Sequence, residues 1–299
     1  MQMLQKPIKL IECPRDAMQG IHDFIDTDLK AAYINLLLKV GFDTIDFGSF
    51  VSPKAIPQLR DTKEVLSKLD LSNTKSKLLA IVANLRGAQE ACAHEQISYL
   101  GFPFSISETF QQRNTNSGIV QSVDTIKQLL TLCDEHNKTA VIYISMGFGN
   151  PYGDPWNVEI VEKWADELAS HGVKILALSD TTGVSTSEKI KEIVPALIKK
   201  FESGNSLEHS AQSKVEIGLH LHSTPYTRFE KIQAAYESGC RRFDSALKGF
   251  GGCPMATDDL TGNMATEDLI SYLNTKGELL NLNIEKWQEA LSLSAKVFN

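Results

Sequence analysis

Two histidines one residue apart, His220 and His222, close the apolar run Val215-Glu-Ile-Gly-Leu-His-Leu-His222. Strand side chains at i and i+2 share a face. A strand over Val215 to Leu221 therefore projects both imidazoles side by side from its end, which makes half of a divalent-metal site. A lone His-x-His pair is more often two unrelated side chains, so its meaning rests on what else the chain brings to it. Arg15 and Asp16 follow the first apolar run, Asp46 lies in the second, Asp180 follows the sixth, and Cys253 and Asn263 come after the last. Asp16 supplies a carboxylate and Asn263 an amide oxygen. With two neutral imidazoles they form a mixed oxygen and nitrogen set with open positions, suited to Mg²⁺, Mn²⁺, Co²⁺ or Zn²⁺. The wide spacing of the cysteines excludes an all-thiolate zinc site.

The elements that must position these residues follow a regular order. Lys9–Glu12 reads as a strand that stops at Cys13-Pro14 and delivers Arg15 and Asp16 into a loop. Asp28–Val40 reads as a helix, with Leu29, Ala32, Tyr33, Leu36, Leu37 and Val40 at three- and four-residue spacing, Asp26 or Thr27 as its cap and Gly41 at its end. Further strands are predicted over Thr44–Phe47, Leu78–Val82, Ile97–Phe104, Thr139–Ser145, Lys174–Leu178 and Arg242–Ser245. With the histidine strand they make eight, each followed by a helical segment. Eight strand–helix units without a linker predict an α/β fold, a (β/α)8 TIM barrel over about 8–275 with extra C-terminal helices in 276–299, all in one catalytic domain, 1–299. The alternative, an open doubly wound sheet, wants a glycine-rich loop after the first strand; here that loop is Cys13-Pro-Arg-Asp-Ala-Met-Gln19, with no glycine. In a barrel of this kind the active site forms at the carboxyl ends of the strands. The chemically capable residues fall there.

The 299 residues are 42% hydrophobic and 22% charged, with a formal net charge of −7. That balance disfavours nucleic acid or an anionic membrane surface as a partner. No apolar run reaches the roughly 20 residues that span a bilayer, and Met1–Lys9 lacks the apolar core of a secretory signal. Five widely spaced cysteines, an odd number, read as reduced thiols in a cytoplasmic protein.

Five stretches carry a family resemblance. They are Glu12-Cys-Pro-Arg-Asp-Ala-Met-Gln19, Gly48-Ser-Phe-Val-Ser-Pro-Lys54 with Pro57-Gln58, Ser179-Asp-Thr181, His220-Leu-His222, and Gly251-Gly-Cys-Pro254 continuing to Gly262-Asn-Met-Ala-Thr-Glu-Asp268. Over about residues 8–275 the chain resembles the hydroxymethylglutaryl-CoA lyases, part of a wider metal-dependent barrel group with isopropylmalate and homocitrate synthases. The resemblance implies cleavage of 3-hydroxy-3-methylglutaryl-CoA to acetyl-CoA and acetoacetate, an acyl-CoA substrate, a divalent cation (Mg²⁺ or Mn²⁺, with Zn²⁺ or Co²⁺ as alternatives) and a homodimer. It casts Asp16, His220, His222 and Asn263 as metal ligands. Arg15, Asp16, Asp46, His220 and Cys253 become catalytic residues, and Gln19, Ser49, Asp180 and Thr181 substrate-binding ones. Metal chelation would acidify the substrate's tertiary hydroxyl, Arg15 would stabilise the thioester enolate, and Cys253 would reprotonate it from a glycine-flanked loop, with His220 as alternative or partner.

Several positions depart from the family's pattern. Cys13 stands where glycine is usual, Asp46 where glutamate is, and Ser223 where an aspartate follows the histidines. The stretch from Cys253 to Asn263 is one residue longer and carries Asp258 and Asp259. Metal ligands and Arg15 are untouched, so cleavage chemistry survives these changes better than substrate identity. A related 3-hydroxy-acyl-CoA as substrate, a Claisen-type condensing transferase of the same barrel group, and a non-catalytic metal-binding barrel are the competing readings.

Overall fold

Alternation of inward and outward apolar residues along eight short strands builds the barrel. In the computed structural model, which describes residues 6–201, 214–252 and 261–298, these strands are β1 (Lys9–Glu12), β2 (Thr44–Ser49), β3 (Lys77–Ile81), β4 (Ile97–Ser105), β5 (Thr139–Ser145), β6 (Ile175–Ser179), β7 (Glu216–His220) and, after a two-residue β8 (His222–Ser223), β9 (Arg242–Ser245). They are parallel, run in chain order, and close through β7–β9 and β9–β1. The expected barrel is present and the open sheet is ruled out. Leu79, Tyr99, Val141, Tyr143, Ile175 and Ala177 form one small cluster inside the strands. Their chain neighbours Leu78, Leu100, Ile142 and Leu176 belong to the large core shared with the helices. That is the period-two alternation of strands buried on both faces.

Three local features position the site. First, Arg15 and Asp16 do not lie in a loop. They occupy the first turn of a short helix, α1 (Pro14–Gln19), because Pro14 opens it with a preset φ and no N–H to satisfy. Second, α2 (Thr27–Val40) starts at Asp26, whose carboxylate accepts from Asp28 N and Leu29 N, and ends at Gly41 with φ +93°. Third, the histidine run is not one strand to Leu221. β7 stops at His220, and β8 pairs antiparallel with β10 (Gly262–Asn263), setting His222 opposite Asn263. Met264 N donates to Leu221 O at 3.1 Å and pins this small ribbon at the barrel's end.

The C-terminal helix Ile284–Val297 packs on α2. Asn283 N donates to Val40 O at 2.9 Å, Trp287 meets Phe42 edge-on, and Phe298 touches both Tyr33 and Phe250. Among the described residues no helix is long and apolar enough to cross a membrane. Cys253, Asp258 and Asp259 lie outside the described residues.

Candidate metal centre and active-site mouth

Arg15 is the hub of the mouth. Its Nε donates to Asp46 Oδ2 at 2.9 Å and its Nη2 to the same oxygen at 2.5 Å. Its Nη1 donates to Asp16 Oδ1 and to Gln19 Oε1, both at 2.8 Å. Gln19 Nε2 closes the ring on Asp16 Oδ1 at 3.0 Å. All of this lies in a nearly dry setting: Arg15 is 8% exposed and Asp46 1%. Burial pushes the Asp46 carboxyl up to about 6 although Arg15 opposes it. Burial alone would weaken the Arg15 charge, but Asp46 and Asp16 more than reverse that. For Asp16, burial is outweighed by Arg15, the two histidines and the Asn263 amide, which bring it down to about 2.

Asp16 also faces the histidines. One ligand atom each from Asp16, His220 and His222 lies within 4.8 Å of the others. Burial, then the neighbouring His220, holds His222 down at about 4, so it is a neutral imidazole. Both His222 ring nitrogens are buried without a hydrogen-bond partner among the described residues. An unpartnered buried imidazole is costly, and a bound cation would relieve that cost. Asn263 Nδ2 donates to Asp16 Oδ2 at 2.7 Å and to Phe250 O at 2.9 Å. With the amide nitrogen so engaged, Oδ1 is the atom left to face a cation. One carboxylate, two imidazoles and an amide oxygen fit a divalent ion with open positions.

The comparisons agree with this geometry. The HMGL-like family model matches residues 8–294. The chain belongs to the HMGL-like family. A Bacillus subtilis relative, hydroxymethylglutaryl-CoA lyase YngG, is 32% identical over 91% of this chain and 87% of its own. The cytoplasmic 3-hydroxy-3-methylglutaryl-CoA lyase of Rattus norvegicus is 30% identical over 99% of this chain and 82% of its own. Among solved structures, the Bacillus subtilis HMG-CoA lyase matches at TM-score 0.87 and 30% identity, covering 97% of this chain and 93% of that one. An Acinetobacter baumannii HMG-CoA lyase in complex with coenzyme A and 3-methylmalate matches at TM-score 0.87 and 28% identity, covering 100% and 93%.

Within this HMGL-like barrel the residues singled out from the sequence sort into three groups. Arg15, Asp16, Gln19, Asp46, His220, His222 and Asn263 converge. Ser49 is buried at the end of β2, where its hydroxyl accepts from Val51 N at 3.2 Å, and it lines a separate recess of about 590 Å³. Asp180 and Thr181 serve the scaffold. Both Asp180 oxygens are occupied, Oδ1 by Ser185 N at 2.9 Å and Oδ2 by Ser185 Oγ at 2.5 Å and Lys231 Nζ at 3.0 Å. At 1% exposure Asp180 is buried with both oxygens engaged by its own scaffold. Thr181 Oγ1 accepts from Met146 N at 2.8 Å and fixes the turn after β5, where Met146 has φ +60°.

Two functional neighbours escape sequence reasoning. Lys231 bridges Asp180 and His222 O, the latter at 2.8 Å, and so anchors the His222 backbone. Asp244 stands 3.3 Å from His220 Nδ1. The available signal for Asp244 was the run Arg242-Phe-Asp, two charges at alternate positions of an otherwise buried strand.

Proposed function

We propose that this chain is a carbon–carbon lyase that cleaves 3-hydroxy-3-methylglutaryl-CoA to acetyl-CoA and acetoacetate, from one catalytic domain spanning 1–299. The observation that carries the reading is the sharing of Asp16 between the metal-ligand cluster and Arg15. A divalent cation held by Asp16, His220, His222 and Asn263, taken here as Mg²⁺ or Mn²⁺ with Zn²⁺ or Co²⁺ as alternatives, supplies the Lewis acidity that lowers the pKa of the substrate's tertiary hydroxyl.

The chain's own residues do the rest. A guanidinium has five N–H bonds, and the bonds to Asp46, Asp16 and Gln19 leave one on Nη2 for the thioester oxygen. That donor meets the negative charge that develops as the carbon–carbon bond breaks, in a site poor in water, where one such contact is worth the most. Asp46 and Gln19 hold the guanidinium in place before substrate arrives. His220 cannot bind a cation through Nε2 and carry a proton there at once. Its contact with Asp244 favours the ligand role, and reprotonation of the enolate carbon falls to the Cys253 thiol.

The recess at the ends of β2 and β3 gives a place for the substrate's other end. Lys54, Arg60, Lys63 and Arg86 line it, against a single acid, Glu90. That excess of positive charge suits the phosphates of a CoA thioester. Among the described residues the buried thiols of Cys13, Cys92 and Cys133 accord with a reducing, cytoplasmic setting. A homodimer completes the reading and is checked by sedimentation.

The test is release of acetyl-CoA and acetoacetate by metal-stripped protein, with and without added Mg²⁺ or Mn²⁺. Metal-dependent formation of both products in equal amounts supports the lyase. Tight metal binding without products transfers the reading to a related 3-hydroxy-acyl-CoA.

A further inference from the structure

Asp244 and Arg242 lie inside the barrel, and of the two only Asp244 enters the reading above, through its contact with His220. β7 and β9 pair in register, with His220 beside Asp244. Asp244 Oδ2 is 3.3 Å from His220 Nδ1, and the Asp244 side chain is wholly buried. A carboxylate only accepts hydrogen bonds, and a neutral imidazole carries one N–H. The proton is then on Nδ1, and the lone pair is on Nε2, the nitrogen 4.0 Å from Asp16 Oδ2. His222 has no such support, since the following hydroxyl, Ser223 Oγ, turns to the Met264 sulfur at 3.8 Å.

Arg242 stands two residues before Asp244 and on the same face of β9. It is 1% exposed, and its Nε, Nη1 and Nη2 have no hydrogen-bond partner among the described residues. Asp244 Oδ1 is unpartnered as well. Gly218, on the neighbouring strand, makes room for the arginine: a Cβ there would meet Arg242 Cδ at 2.8 Å. A buried cation and a half-paired buried carboxylate on one strand face offset each other's charge.

We propose that Asp244 is the positioning residue that aims His220 Nε2 at the cation, and that Arg242 is the buried counter-charge on the same strand face. The inference rests on the metal reading above and deepens it.

The test uses the whole chain loaded with Zn²⁺ as probe. Long-range ¹H–¹⁵N spectra of the histidine rings read the His220 tautomer, and calorimetry reads Zn²⁺ affinity. In the wild type, Nδ1 carries the proton. Asp244→Asn is isosteric, so a merely structural role would survive it. It replaces the carboxylate by a neutral amide, a weaker acceptor for the Nδ1 proton, and is expected to weaken Zn²⁺ binding roughly 10- to 100-fold. Arg242→Met moves affinity the same way by a smaller factor. Cys13→Ser leaves it unchanged, although Cys13 Sγ lies within 4.8 Å of the ligand atoms of His220 and Asp244. A wild-type proton on Nε2 overturns the proposal, and that reading needs no variant to fold. So does Asp244→Asn binding within twofold of wild type, or Cys13→Ser losing as much affinity as Asp16→Asn, which would put the ion on the Nδ1 side. If Asp16→Asn binds Zn²⁺ as wild type does, the metal reading and this one fall together. If Asp16→Asn binds weakly and Asp244→Asn normally, only this one falls.

Discussion

Replacing Glu12 by glutamine should make the protein more stable at alkaline pH. Glu12 ends β1 and is fully buried. Leu247 N donates to its Oε1 at 2.8 Å, and Thr266 Oγ1 lies 2.6 Å from its Oε2. Thr266 Oγ1 is also 2.9 Å from Ser245 Oγ. Thr266 has one proton, so a protonated Glu12 that donates to Thr266 frees it to donate to Ser245. Burial, opposed by the Thr266 and Leu247 bonds and aided by the Glu267 charge, pushes the carboxyl from 4.5 up to about 8. The folded state therefore holds this proton more tightly than the unfolded chain does. The stabilisation is full below about pH 4.5 and is lost progressively as pH rises to about 8. At about 1.4 kcal/mol per pH unit the ceiling is roughly 5 kcal/mol, and relaxation around a buried group reduces it to about 2–3 kcal/mol. Glutamine keeps the acceptor for Leu247 and offers an N–H to Thr266 without titrating. Urea unfolding of wild type and Glu12→Gln between pH 5 and pH 9 should give matching stabilities at the acid end and a gap of about 2–3 kcal/mol in favour of the variant at the alkaline end. A gap that does not change with pH, or a wild type that is the more stable at pH 8, refutes the reasoning.

Other perturbations act on the site's supports. Lys231→Met leaves the Asp180 carboxylate buried without its cation and should cost about 3–5 kcal/mol in urea unfolding. Gly251→Ala should weaken Zn²⁺ binding in calorimetry by at least tenfold: Gly251 has φ +82°, and an added Cβ would meet Asp16 O at 2.6 Å and Asn263 Nδ2 at 2.9 Å. Metal affinity should fall as pH is lowered. Burial works against the His220 proton, but Asp244 and Asp16 hold it on, so the fall sets in at a higher pH than a free imidazole would give. His222, at about 4, should not contribute to that fall. A pH titration of Zn²⁺ affinity checks both statements.

Much of the barrel is legible in the chain because strand alternation and helix periodicity are local signals. β1 and β5 fall where the pattern puts them, and Gly41 ends α2 as expected. The sequence pattern puts Arg15 and Asp16 in a loop because a six-residue helix is too short for a periodic signal, although Pro14 marks its start. The split between His220 and His222 was not legible, because it depends on pairing with Gly262–Asn263, some forty residues later. Asp180 looked like a mouth residue by its place after β6. Lys231, fifty-one residues away, engages its carboxylate, a contact that no local pattern shows. Asp244 went unnoticed for the same reason: its importance lies in the strand beside it.

The central claim is that Arg15 stabilises the enolate of a metal-dependent cleavage, and kinetics on Arg15→Met test it most directly. The account predicts Zn²⁺ affinity within a fewfold of wild type, because Arg15 is no ligand, with release of acetyl-CoA and acetoacetate slowed by about 10²–10³ or more. An Arg15→Met protein that binds metal and still releases both products at a rate near wild type would contradict it.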